Sequence, residues 1–118
     1  MLVEIAKWRI PKENGKRHLD LWSAALGYQR SHPEKFRYTV SRMFTLTEEG
    51  ATDETWMWID EYEDREAYDK MSKAWEEDSE LVKYKKEHKA QWDPMRVPGS
   101  FKAELWAERL RVDLKKQT

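Results

Sequence analysis

The chain contains no cysteine, which removes disulfides, thiolate zinc sites and cysteine nucleophiles at a stroke. Glycine and proline are scarce, four of each in 118 residues, and no glycine-rich phosphate loop, low-complexity tract or linker occurs. Neither sign of charge dominates. Lys and Arg total 22 against 23 Asp and Glu, a net charge of -1, so nothing supplies the basic stripe that nucleic acid requires. Apolar runs extend only a few residues, too short for a membrane span or the apolar core of a signal peptide, and a cytoplasmic location is expected. The three histidines fall on separate elements with no H-x-x-x-H pair, so no metal site is expected. No serine elbow and no paired carboxylates at functional spacing stand out.

What the chain does have is tryptophan. Seven are spread along a sequence that is 38% charged with a mean hydropathy of -1.04. Few apolar positions remain to build a core, so the large rings must supply most of the buried area. A single domain over 1–112 is expected, followed by a polar tail over 113–118.

Residues 2–10 read as a strand with Leu2, Ala6, Trp8 and Ile10 on one parity, interrupted by Glu4, and Val3 and Ile5 on the other. The period changes over 16–30, where Leu19, Trp22 and Leu26 form a helical stripe with Ala25 beside them. Residues 37–47 alternate again, as do 54–62, and Gly50 lies in the hairpin loop between them. In the second of these strands Trp56, Trp58 and Tyr62 oppose Met57 and Ile59, so both faces are apolar. Asp64 is a predicted N-cap, with Ala67, Tyr68, Met71, Ala74 and Trp75 at helical spacing behind it. Asp78-Ser79 breaks that helix and caps another, on which Leu81, Tyr84, His88 and Trp92 form a stripe. A last strand is expected over 101–110, with Trp106 on the parity opposite Phe101, Ala103 and Leu105.

The order βαββαβ predicts an α+β protomer of ferredoxin-like type, a four-stranded antiparallel sheet with helices on one face. Strands apolar on both parities then need a second cover, and a homodimer packed through the sheet face is the simplest. Together with the segments TWMWIDEYEDREAYDKM and SELVKYKKEHKAQW, this pattern resembles the dimeric α+β barrel superfamily, in its NIPSNAP-like and antibiotic-biosynthesis-monooxygenase-like branches. The resemblance rests on Trp58, Tyr62 and the helix opening Asp64-Arg65-Glu66-Ala67, and it spans nearly the whole chain. It implies a small apolar or aromatic ligand held between sheet and helices. It further implies either a cofactor-independent monooxygenase or related pocket enzyme, or a non-catalytic interaction protein.

Trp22, Trp58, Tyr62, His88 and Trp106 are the candidate ligand-contacting residues, and the competing reading of the rings is core packing. His88 has three readings: a hydrogen-bonded core histidine, a ligand contact, or the haem ligand that related haem-degrading members carry on a comparable helix. Those members pair it with an asparagine on the first strand, which 2–10 lacks, so no cofactor is expected. His18 and His32 read as surface residues. Arg42 and Asp60 each break an apolar parity on neighbouring strands. They close a pocket or cross the dimer seam if they share a face, and are solvated edges if they do not.

Overall fold

The computed structural model describes residues 1–46 and 48–115. Its elements in chain order are β1 (Leu2–Pro11), α1 (Gly15–Ser31), β2 (Val40–Leu46), β3 (Asp53–Tyr62), α2 (Arg65–Glu77), α3 (Ser79–Trp92) and β4 (Lys102–Ala107). The four strands form one antiparallel sheet in the order β2-β3-β1-β4. This α+β arrangement is compatible with a ferredoxin-like fold. The expected end of the second strand, Thr47, and residues 116–118 of the expected tail lie outside the described residues.

Pairing β1 with β3 puts Ala6 opposite Trp58, Trp8 opposite Trp56 and Leu2 opposite Tyr62, so their even-numbered side chains share the face beneath the helices. On that face Ala6, Trp8, Ile10 and Trp56 join Trp22, Ala25 and Trp92 in the larger core cluster. A second cluster of Phe36, Tyr62, Met71 and Leu81 seals the α2 end. The opposite face carries Val3, Ile5, Met57 and Ile59 at its centre, with Phe44, Leu46 and Trp106 exposed around them. No described helix covers it, and no helix among the described residues is long and apolar enough to cross a membrane.

The helix ends follow their sequence signals. Asp64 accepts a 2.8 Å hydrogen bond from the Ala67 amide, and Asp78 accepts from the amides of Glu80 and Leu81. Gly50 and Gly99 both have positive φ, at 78° and 73°, where a side chain would be strained. At Gly15 the constraint is space instead, since a Cβ would sit 2.5 Å from Glu54 Oε1.

Three expectations need correction. The α1 stripe is displaced by one residue: its buried positions are His18, Trp22 and Ala25, while Leu19 is 52% exposed. The imidazole at 18 rotates the helix inward because it meets two indole donors described below. The second strand begins at Val40, not at 37, because a 3-10 turn over Pro33–Lys35 delivers Phe36 and Tyr38 into the second core cluster. The last strand stops at Ala107 and does not reach 110. Its partner β1 runs out there, the Glu108 amide pairing with the carbonyl of Met1.

Candidate functional site

A cavity of about 430 Å³ lies between the inner sheet face and the helices. Its floor is made by Glu4 of β1, Ser41 and Met43 of β2, and Trp58 and Asp60 of β3. Trp22 and Gln29 of α1, Trp75 of α2, and Tyr84, Lys85, His88, Lys89 and Trp92 of α3 close it from above. Tyr38, Arg96 and Phe101 complete the rim. The walls combine seven aromatic rings with eight polar or charged side chains, so apolar surface and several possible polar contacts are both present, as in a small-molecule site.

The sequence places these rings by simple periodicity. Trp22, His88 and Trp92 stand on stripes that face the sheet, and Trp22 meets the other two edge to face. The Trp22 ring lies 4.6 Å from His88 at 74° and 5.1 Å from Trp92 at 89°. Trp22 also approaches Trp58 at 5.4 Å and stacks on Trp8 at 5.6 Å. Arg96 lays its guanidinium 4.0 Å from the centre of the Trp92 ring, a cation–π contact that holds a positive charge beside the cavity.

Among the described residues, several polar atoms in this apolar setting have no partner. The indole N–H groups of Trp22 and Trp58, Asp60 Oδ1 and His88 Nε2 are all buried without a hydrogen bond. Such groups are rare in folded proteins, because each forfeits its hydration with nothing in return. Asp60 is 2% exposed, and burial pushes its carboxyl up to about 7, partly offset by the Ser41 hydroxyl and the Trp58 N–H, which lies near the carboxyl without completing a hydrogen bond to it. Glu4 sits directly opposite Asp60 across the β1–β3 ladder, and burial raises its carboxyl as well. Burial, reinforced by the charge of Arg96, lowers the His88 imidazole, which is therefore neutral at physiological pH.

Of the five residues singled out in the sequence, the structure brings Trp22, Trp58 and His88 together at the cavity. Tyr62 is not among them. It is 2% exposed inside the second core cluster, edge-on to Tyr38 at 5.7 Å and Tyr68 at 5.2 Å. Trp106 stands on the opposite sheet face, beside Val3 in the register, and is 57% exposed. Strand parity separates it from the cavity, since its neighbour Leu105 occupies the inner side.

The other polar candidates also move. Arg42 and Asp60 do not share a face. Arg42 pairs with Ile59 in the register and reaches Glu61 at 3.4 Å on the outer side, whereas Asp60 is buried inside. Asp60 is thus no solvated edge. His18 is not at the surface either, being fully buried, with Nε2 accepting hydrogen bonds from Trp8 Nε1 at 2.9 Å and Trp92 Nε1 at 3.0 Å. His32 is half-buried and stacks on Tyr28 at 4.3 Å.

The carboxylate pair was invisible as a spacing, because its members are on different strands and meet only through the register. The signal that pointed to it was the polar interruption at Glu4 and at Asp60, each on a parity that is otherwise apolar. The groups able to hold a ligand are thus two carboxyls, a neutral imidazole and two indole donors. No group of three metal-ligating side chains occurs among the described residues.

No protein-family model matches the sequence, and no match is found among curated proteins.

Proposed function

We propose that this protein binds a small aromatic molecule in the cavity under α1 and α3 and acts on it as a cofactor-independent monooxygenase or related pocket enzyme. The observation that carries the reading is the 430 Å³ aromatic cavity with unpartnered polar atoms on its walls. Among the described residues, His18 Nδ1 and Trp56 Nε1 are unpartnered in the packed core as well, and what distinguishes the cavity atoms is the open space that lets a ligand reach them. Flat rings would lie against Trp22, Trp58 and Trp92, while the indole N–H groups orient oxygen substituents and stabilise negative charge that develops on them.

The same proposal includes a homodimer assembled sheet to sheet in the manner of the dimeric α+β barrels. It is supported by the outer face, where Val3, Ile5, Met57 and Ile59 are flanked by exposed Phe44, Leu46 and Trp106. A contiguous apolar surface of this kind is uncommon on a monomer.

Native mass spectrometry of protein purified from its own host tests both parts together. Two subunits carrying a small molecule of defined mass are expected. Bare single subunits, in a preparation that also fails to take up added aromatic compounds, would refute the reading. A second reading, a non-catalytic interaction protein, is favoured by the outer apolar face alone. It predicts the dimer, or a heterologous partner, without uptake of any small molecule.

A further inference from the structure

Resting on the ligand-binding reading above, the geometry points to a specific catalytic device: Glu4 and Asp60 form a proton-sharing carboxyl pair that accepts a proton from a weakly acidic hydroxyl on the bound aromatic molecule.

Glu4 and Asp60 are direct partners in the antiparallel β1–β3 ladder, and both line the cavity. Opposed side chains in such a ladder have Cβ atoms about 5 Å apart, close enough for two carboxyls to share one proton. Two full negative charges there, against aromatic walls, would repel each other. Three cations line the same cavity, Lys85, Lys89 and Arg96, yet among the described residues none forms an ion pair with either carboxylate. Arg96 instead stacks on Trp92 and bonds Asp93. The remaining groups facing the pair are the hydroxyls of Tyr38, Tyr62 and Ser41, and the neutral His88 imidazole across the cavity. The first proton is therefore held between the two carboxyls unusually tightly, and the pair that has lost it is the base that takes one from a ligand hydroxyl.

The unpartnered atoms give the ligand its chemistry. Asp60 Oδ1 lacks a donor and Trp22 Nε1 an acceptor among the described residues, while Trp58 Nε1 lies near the Asp60 carboxyl without completing a hydrogen bond to it. A planar ligand that offers a hydroxyl to Asp60 and oxygen lone pairs to the indoles satisfies all three. In the step itself the ligand O–H bond breaks, its proton passes to the carboxyl pair, and the electron pair stays on the ligand oxygen as an aryloxide. The indole N–H groups then hydrogen-bond that anion. No oxidant or reductant enters this step.

The probes are 2-naphthol and 2-methoxynaphthalene, which differ in the presence of the transferable proton. Wild-type protein is expected to bind both, preferring 2-naphthol at least tenfold, with its bound spectrum shifted toward the naphtholate form. Asp60→Asn should retain 2-methoxynaphthalene, lose most of the preference and abolish the spectral shift, and Glu4→Gln should weaken both. An undiminished preference in both variants would overturn the inference while leaving the pocket intact. Failure of wild type to bind either probe would overturn the ligand-binding reading and the inference with it. A measurement on unmodified protein guards against misfolded variants. NMR titration of the two side-chain carboxyl carbons should show coupled steps, one near or above neutrality. Two independent steps in the ordinary carboxylate range would also overturn the pair.

Discussion

The indole of Trp92 donates a 3.0 Å hydrogen bond to Nε2 of His18, joining the end of α3 to the start of α1 across the core. Trp8 of β1 donates to the same nitrogen at 2.9 Å, so one imidazole ties both helices to the sheet directly beneath the cavity. Replacing His18 by Phe leaves two buried indole donors without an acceptor. Each costs about 1–3 kcal/mol, and a loss of about 2–4 kcal/mol is expected in urea denaturation. His18→Gln, which keeps an acceptor, should lose less.

The same site makes stability depend on acid. Burial holds the His18 imidazole down to about 4 from 6.5, with the charges of His88 and Arg96 acting in the same direction. Between those values the unfolded chain binds a proton that the folded chain refuses, so stability falls as pH drops from about 6.5 to about 4. The loss attributable to His18 amounts to about 3 kcal/mol when complete. Denaturation midpoints measured across that window should decline in the wild type and decline less in His18→Gln.

Asp60 has the opposite sign. Its folded carboxyl titrates near 7 against 3.8, so the folded state binds the extra proton and stability falls as pH rises through that range. Asp60→Asn is therefore expected to stabilise the fold by about 2–4 kcal/mol above neutrality, with the gain fading toward pH 4. A variant that folds better and binds naphthol worse is the signature of a residue kept for chemistry. Equal stability of the two proteins at all pH values would remove that argument.

The uncovered sheet face makes a separate prediction. Sedimentation at micromolar concentration should show two subunits, joined over roughly 1,000 Å² or more of total buried surface. Phe44→Glu combined with Trp106→Lys should give a folded monomer, since both side chains are solvent-exposed in the protomer and contribute nothing to its own core. A wild-type monomer at that concentration would count against the dimer.

Much of the architecture was legible because hydrophobic period reports directly on which face a residue takes. The shared parity of Ala6, Trp8 and Ile10 and of Trp56, Trp58 and Tyr62, the helical position of Met71, the caps at Asp64 and Asp78, and the α3 stripe through Leu81, Tyr84, His88 and Trp92 all followed from spacing, while which strand parity turns inward did not. The misreadings share one physical cause. Parity and helical phase distinguish the two sides of an element, but not how a side chain is satisfied once it is inside. His18 is polar and off the Leu19 stripe, which points to the surface, yet two indoles from distant elements make its burial favourable. Trp106 shares its residue type with Trp22 and Trp58, and only the β1–β4 register shows that its parity lies on the other face. The Glu4–Asp60 pair needed the register, which the hairpin loop and the crossover leave open in the sequence.

Trp22 balances core against cavity. It is 7% exposed and belongs to the main cluster, but its N–H is unpartnered and it lines the open space. Trp22→Ala is expected to cost about 3 kcal/mol, at the low end of the range for a core aromatic. The variant should also lose naphthol binding by tenfold or more in equilibrium titration.

The central claim, that the space between sheet and helices is a binding site, is tested most directly by the indole N–H signals in a nitrogen–proton correlation spectrum. On titration with 2-naphthol, the resonances of Trp22 and Trp58 should shift saturably as their unpartnered donors find an acceptor. That of Trp106, on the opposite face, should stay in place. Titration that leaves Trp22 and Trp58 unmoved, or that moves Trp106 alone, would contradict the account.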